Sequence, residues 1–355
     1  MSRNKFINGE AGVGKSRYIN EHFNTDEYLL LAPTGVAACG INGKTINSFF
    51  CLGKDVKLAN VKFICKIMSA EKQDKLHQIT TIVIDECYVT PLSTMQKVDE
   101  ILQNILQNGD PFGGKSIIML GDARQLPSVD KPAFFGSALY RSLNAIREDI
   151  PYEIEKKPRL TPDYRNICNY LRWGRSYNEL INFITKFKGA EQPFNTFAVY
   201  LKNSDVNAHN DAALKQLPNK YQTLTITKKD KEGNIKNKKY KFKVGMRIML
   251  RRNYDISNKL CNGTIGTLIE FTKKYLTIKV DGVEHTIPNA TKFVPAYAIT
   301  IHKCQGLTLD NIDIYINSEQ LAYRDATRLL YVAFTRVRKA DDVYIHLIPT
   351  INCCT

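Results

Sequence analysis

Four continuous apolar runs punctuate the first third of the chain: Phe6-Ile7, Tyr28-Leu29-Leu30-Leu31-Ala32, Thr80-Thr81-Ile82-Val83-Ile84 and Ser116-Ile117-Ile118-Met119-Leu120. Between them lie stretches such as Met95 to Leu106, whose apolar residues recur at three- and four-residue steps, the period of a helix with one buried face. Strands that are apolar throughout, interleaved with helices, imply a parallel sheet covered on both faces. Polar residues follow the runs: Pro33-Thr34-Gly35, Asp85-Glu86 and Gly121-Asp122. The carboxyl ends of strands are where open α/β sheets bind ligands.

From about Ala138 the rhythm restarts, with Phe197 to Leu201 as a strand and Val206 to Leu217 as a helix. Residues 222–293 break it, with short alternating strands between the turn signals Gly233-Asn234, Asn262-Gly263 and Asp281-Gly282. They predict a small β-barrel inserted into a second α/β unit. The expected division is therefore a first α/β domain over 1–137, a second over 138–221 and 294–355, and an inserted β domain over 222–293. Within the insert, lysines stand at 228, 229, 231, 236, 238, 239, 241 and 243, alternating with Ile235, Tyr240 and Phe242 as in an exposed ribbon.

The first apolar run leads into Gly9-Glu10-Ala11-Gly12-Val13-Gly14-Lys15-Ser16, the spacing of a phosphate-binding loop between a strand and a helix. Its glycines let backbone N–H groups curl around phosphate oxygens, and the helix N-terminus adds partial positive charge. Lys15 would reach the β- and γ-phosphates, and Ser16 would ligate Mg2+. Asp85, at the end of a strand of the same sheet, would hold that Mg2+ through water, and Glu86 would orient or deprotonate an attacking water. The charge developing on a transferred phosphoryl group also needs cations, for which Arg159, Arg336 and Arg338 stand far along the chain. An arginine supplied by a second domain would make hydrolysis depend on domain closure.

Composition narrows the partner. The 355 residues carry a net charge of +15, which points to a polyanion, most simply nucleic acid. Nine cysteines contain no C-x-x-C pair, and Cys353-Cys354 are adjacent, so reduced thiols in an intracellular setting and no zinc site are expected. No apolar run reaches membrane-spanning length, and the first residues lack a signal-peptide pattern.

Beyond the phosphate loop, further blocks occur in order: Ala32-Pro33-Thr34-Gly35-Val36-Ala37-Ala38, Gly43-Lys44-Thr45-Ile46-Asn47-Ser48-Phe49, Ile84-Asp85-Glu86, Pro111-Phe112-Gly113-Gly114 and Gly121-Asp122-Ala123-Arg124-Gln125-Leu126-Pro127. Later come Asn262-Gly263-Thr264-Ile265-Gly266, Thr300-Ile301-His302-Lys303-Cys304-Gln305-Gly306-Leu307-Thr308 and Tyr331-Val332-Ala333-Phe334-Thr335-Arg336-Val337-Arg338. The ordered set resembles superfamily 1 helicases of the 5′-to-3′ branch, the Pif/RecD/Dda group, and most closely the Pif type.

That resemblance implies two RecA-like domains with ATP in the cleft between them, and an SH3-like module at 222–293. It implies that Gly9, Ala11, Gly12, Val13, Gly14, Lys15, Ser16 and Arg17 cradle the nucleotide with Asp85, Glu86 and Gly306. Gln125 would sense the γ-phosphate, and Arg336 would contact it from the second domain. Arg159 resembles the other arginine finger, with Arg165 as the alternative. Single-stranded DNA would meet Pro33, Thr34, Gly35, Thr45, Asn47 and Phe49 from the first domain, with Phe49 stacking on a base. His302, Lys303 and Thr308 would meet it from the second. Phe50 reads as core. A strand-splitting wedge would lie in the short region about 51–79. Asn47 replaces a usual histidine, and Phe334-Thr335 a usual Leu-Ser. The family's adenine-reading glutamine has no counterpart before Gly9, since the first glutamine is Gln73, so either base selection is relaxed or an N-terminal segment lies outside this sequence.

The expected activity is an ATP-dependent, monomeric DNA helicase that moves 5′ to 3′ on single strands and acts on tailed or forked duplexes, beside replication or repair proteins. The alternatives are an RNA motor or an ATP-gated nucleic-acid-binding subunit of a larger complex.

Overall fold

The computed structural model describes residues 4–53, 60–128, 132–149, 159–187, 196–229, 235–255, 258–288 and 292–348. The turn signal Gly233-Asn234, the pair Cys353-Cys354 and the side chains of 227–238 lie outside the described residues.

The first unit is a six-stranded sheet built from β1 (Lys5–Asn8), β2 (Tyr28–Ala32), β3 (Lys44–Thr45), β4 (Thr81–Ile84), β5 (Ser116–Gly121) and β6 (Ile146–Asp149). Its order is β3-β2-β4-β5-β1-β6, and every pairing is parallel. Successive side chains leave a strand on opposite faces. Leu29, Leu31, Ile82, Ile84 and Met119 therefore join one buried cluster, and Ile7, Leu30, Val83 and Leu120 another. The helix Leu92–Leu106 lays Met95, Val98, Ile101 and Leu102 against the former. The helix Lys15–His22 buries Ile19 against the latter.

β6 moves the expected boundary. The strand Ile146–Asp149 pairs with β1, so the first sheet continues beyond residue 137. Its sequence Ile-Arg-Glu-Asp carries no apolar run because it is an edge strand whose side chains are largely exposed. β3 escaped notice for a different reason, since two residues are too few to show a period.

The second unit is a four-stranded parallel sheet of order β15-β7-β16-β17, with β7 at Ala198–Tyr200, β15 at Ala298–Thr300, β16 at Ile312–Ile316 and β17 at Val343–Leu347. The chain between β7 and β15 first forms the helix Asn203–Gln216. A two-stranded hairpin follows, β8 (Gln222–Lys229) with β9 (Ile235–Phe242). Five antiparallel strands come next: β10 (Arg247–Leu250), β11 (Ile265–Phe271), β12 (Tyr275–Val280), β13 (Val283–Pro288) and β14 (Phe293–Pro295). β14 extends the insert slightly past 293.

The insert's turns divide by chemistry. Asp281 and Gly282 both have positive φ, 48° and 85°, and form the two-residue connection between β12 and β13 that such a pair favours. Asn262-Gly263 instead sits inside the long connection from β10 to β11, with Gly263 at φ 105°.

Candidate nucleotide site and nucleic-acid face

The phosphate loop joins β1 to the helix Lys15–His22, and its left-handed Gly12 (φ 83°) and Gly14 (φ 101°) curl the backbone. Lys15 is buried, and its ammonium donates to Gly9 O at 2.9 Å and Glu10 O at 2.8 Å. Ser16 Oγ donates to Asp85 Oδ2 at 2.8 Å, so the two expected Mg2+ ligands already touch. Burial, and then the adjacent Glu86, push the Asp85 carboxyl up to about 6 against the opposing pull of Lys15 and Ser16. Glu86 stands in the left-handed region at φ 49°, part-buried beside it. Arg17 lies on the first turn of the helix and pairs with Glu21 at 3.4 Å.

The second unit reaches this loop with backbone and side chains alike. Arg159 N donates to Gly12 O at 2.8 Å, and a Cβ at Gly12 would lie 3.1 Å from Leu160 Cγ, so the chain passes directly over the loop. The helix Pro162–Arg172 starts at Thr161 with proline in its first turn, as helix N-termini favour. Tyr164, Cys168 and Leu171 bury one stripe of it. From its other side, Arg165 Nε bonds Glu10 Oε2 at 2.9 Å. Arg172 lies 3.6 Å from Glu10 Oε1 and 3.3 Å from Asp122 Oδ1. Tyr331, from the helix Ala326–Phe334, accepts the Ala11 N–H at 3.1 Å and donates to Asp122 Oδ2 at 2.6 Å.

The two arginine-finger candidates therefore part company. Arg165 touches the phosphate loop itself. The Arg159 guanidinium turns into the second unit, donating to Thr308 Oγ1 at 2.7 Å and to Thr335 O. Arg336 is 3% exposed and donates to Val332 O at 2.8 Å and Thr335 Oγ1 at 2.8 Å. Burial, with Arg336 and Arg338 close by, lowers Arg159 to about 10, and its buried Nε has no partner among the described residues. Gln125 is buried, and its Oε1 accepts from Gln305 Nε2 at 3.2 Å, which ties the loop after β5 to the turn carrying Gly306.

The residues expected at DNA fall into two groups. Thr34 caps the helix Gly35–Gly40, and Thr45 caps the helix Ile46–Phe49; β2 and β3 pair side by side, with Ala32 opposite Thr45. Each hydroxyl accepts a backbone N–H and still has its own hydrogen to donate. Pro33 is part-buried, Gly35 is buried and Asn47 is exposed. His302 and Lys303 are exposed on the helix Ile301–Cys304 after β15, and exposed Thr308 is held by Arg159.

Phe49 does not behave as expected. It is 2% exposed, packed edge-on to Phe50 at 5.0 Å with the Lys72 ammonium 5.5 Å from its ring centroid. Its ring belongs to the core of the first unit. The alternation of a helical turn placed it inward, a constraint that the motif alone does not reveal.

Sequence reasoning assigned no role to Glu10, Asp122, Arg172, Gln305 or Tyr331, although most lie inside the quoted blocks. Asp122, directly after β5, carried the one available signal, because a carboxylate at a strand's carboxyl end is placed to face a ligand.

A family model described as PIF1-like helicase matches residues 1–147. Models described as DNA helicase Pif1, 2B domain, and UvrD-like helicase C-terminal domain match 231–271 and 295–340. The ATP-dependent DNA helicase Pif1 of Bdellovibrio bacteriovorus is 24% identical over 96% of this chain and 84% of its own length. The ATP-dependent DNA helicase PIF1 of Danio rerio is 25% identical over 97% of this chain, which spans 58% of that protein. The fold matches a Bacteroides Pif1 helicase in complex with ADP-AlF3 and single-stranded DNA, with a TM-score of 0.73 at 22% identity over 98% of this chain and 91% of that one. It also matches a structure of two coordinating Pif1 helicases at forked duplex DNA, with a TM-score of 0.74 at 22% identity, covering 99% and 91%. With the phosphate loop, acidic pair, late arginines and ordered blocks on two parallel sheets, the chain is similar along nearly its whole length to Pif1 DNA helicases, and its first 147 residues match the PIF1-like helicase family.

Proposed function

We propose that this chain is an ATP-dependent DNA helicase that moves 5′ to 3′ along single-stranded DNA and unwinds duplexes bearing a tail or fork. The observation that carries the proposal is that residues of both units meet at the phosphate loop. The first supplies Lys15, Ser16, Asp85, Glu86 and Gln125. The second lays Arg159, Arg165, Arg172 and Tyr331 against the same loop. A nucleotide there touches both units, so its binding and loss bias their relative placement.

In the reading we favour, the Lys15 donors now held by Gly9 O and Glu10 O transfer to the β- and γ-phosphate oxygens. Ser16 and Asp85 present adjacent hard oxygens and would hold Mg2+, which neutralises phosphate charge when bound. Glu86 orients the attacking water and takes its proton. Arg336 and the finger arginine stabilise charge on the transferred phosphoryl. Arg165, which already reaches the loop, is our preferred finger. Arg159 links that site to Thr308 on the proposed DNA face, and the Gln125–Gln305 bond supplies a second link.

On the DNA face, the Thr34 and Thr45 hydroxyls donate to phosphates while His302, Lys303 and Thr308 grip from the second unit. Alternating grips during closure and opening advance the strand. The basic insert, with its net-positive hairpin and an SH3-like role, retains it. The direction of travel rests on kinship with the 5′-to-3′ branch. The protein works as a monomer inside the cell, beside replication or repair proteins.

The test is steady-state ATP hydrolysis with and without a single-stranded DNA oligomer, for the parent chain and for Lys15→Ala. DNA should stimulate the parent and leave Lys15→Ala inactive. Turnover indifferent to DNA contradicts the motor reading.

A further inference from the structure

The helix Gly35–Gly40 of the first unit meets the connection between β10 and β11 at a tight seam. A Cβ at Gly35 would collide with Asn253 Oδ1 and lie 3.0 Å from Asn262 N; one at Gly263 would lie 2.6 Å from Val36 Cγ2. At this seam two cysteines from different units meet, with Cys39 and Cys261 hydrogen-bonded side chain to side chain. Both line a cavity of about 570 Å3 that opens between the units and also touches Arg247, Lys259 and Thr308.

We propose that Cys39 and Cys261 form a peroxide-sensitive disulfide latch that ties the first unit to the β insert and halts the motor. The proposal rests on the motor reading for its consequence, and on the thiol geometry alone for its chemistry.

The roles of the two sulfurs follow from their surroundings. The Cys261 thiol is lowered to about 7, chiefly by the hydrogen bond from Cys39 and then by Thr264, so a thiolate forms near neutral pH. Cys39 is raised for the reciprocal reason and keeps its proton, with Lys259 opposing and Asp255 reinforcing the shift. Cys261 is also fixed in place: its N–H donates to Thr264 Oγ1 at 3.0 Å, and Thr264 Oγ1 donates to Lys259 O at 2.6 Å. Burial instead pushes up Cys65, Cys87, Cys168 and Cys304, the last two to about 12, which disfavours their thiolates.

The oxidant is a peroxide, small enough to enter the cavity. The Cys261 thiolate attacks one peroxide oxygen, the O–O bond breaks, and hydroxide leaves, giving the sulfenic acid. The Cys39 sulfur then attacks the Cys261 sulfur, the S–S bond forms, and the hydroxyl leaves with the Cys39 proton as water. Two electrons pass from the two sulfurs to the peroxide. A thiol reductant reverses the bond.

The experiment treats the whole chain with hydrogen peroxide, alkylates remaining thiols, and maps disulfide-linked peptides by mass spectrometry. DNA-stimulated ATPase is followed in parallel, before and after a thiol reductant. We expect a Cys39–Cys261 linked peptide, loss of DNA stimulation, and recovery on reduction, while Cys39→Ser and Cys261→Ser each remain active in peroxide. If Cys39 and Cys261 stay alkylatable after peroxide, the latch does not exist, whatever the motor does. If the linked peptide forms but activity persists, the bond is not a latch. Should the untreated chain lack DNA-stimulated ATPase, the motor reading falls, and the linked peptide still decides the thiol chemistry.

Discussion

Lys15 spends its donors on the carbonyls of its own loop, Gly9 O and Glu10 O, and the proposed mechanism hands those donors to phosphate oxygens. Removing it by Lys15→Ala should cost about a hundredfold or more in turnover, the usual loss when a positioned donor to developing charge disappears. Glu86→Gln separates chemistry from binding. It should abolish hydrolysis while a fluorescent ATP analogue still binds, because the amide keeps the shape and loses the base. Arg165 and Arg159 make a sharper pair. Arg165→Ala should lower turnover by about a thousandfold, the scale of a lost arginine finger. Arg159→Ala should instead weaken the dependence of hydrolysis on DNA, since its guanidinium holds Thr308. The reverse ranking would return the finger to Arg159. Phe49 answers to packing: Phe49→Ala should lower unfolding stability by about 3–5 kcal/mol, as truncation of a buried ring does. Phe49→Leu should leave DNA affinity nearly unchanged in a fluorescence anisotropy titration, which a base-stacking role would not allow.

At the level of elements, the helices Pro162–Arg172 and Ala326–Phe334 bring the second unit to the phosphate loop through different forces. The first brings charge, with Arg165 and Arg172 one helical face apart from its buried stripe. The second brings a neutral bridge, the Tyr331 hydroxyl between Ala11 N–H and Asp122. Tyr331→Phe leaves two buried polar groups without that partner and should cost about 1–3 kcal/mol in a denaturation experiment, with turnover falling as well. Unchanged stability and turnover would show the bridge to be incidental. Elements of this kind were readable in part. The strands of the first unit announced themselves because burial on both faces forces continuous apolar runs. β6 did not, because an exposed edge strand needs no apolar residue, and so the first sheet ran past the expected boundary. Glu10, Asp122 and Tyr331 were visible as letters inside motifs. Their pairing was not, because partners 209 residues apart in the chain, as Asp122 and Tyr331 are, meet only once both sheets are built.

On the scale of the whole molecule, the nucleotide loop faces one unit and is touched by the other, and the proposed DNA grips are divided between the same two units. In the proposed mechanism, motion of one past the other is the step that converts hydrolysis into travel. Among the described residues no helix is long and apolar enough to cross a membrane, and the net charge of +15 suits a long polyanion. The most direct test is strand displacement with ATP on two duplexes of the same sequence, one with a single-stranded 5′ tail and one with a 3′ tail. The account predicts that the 5′-tailed duplex is unwound, the 3′-tailed duplex is not, and both stay intact without ATP. Unwinding of only the 3′-tailed duplex, or of neither, would contradict it.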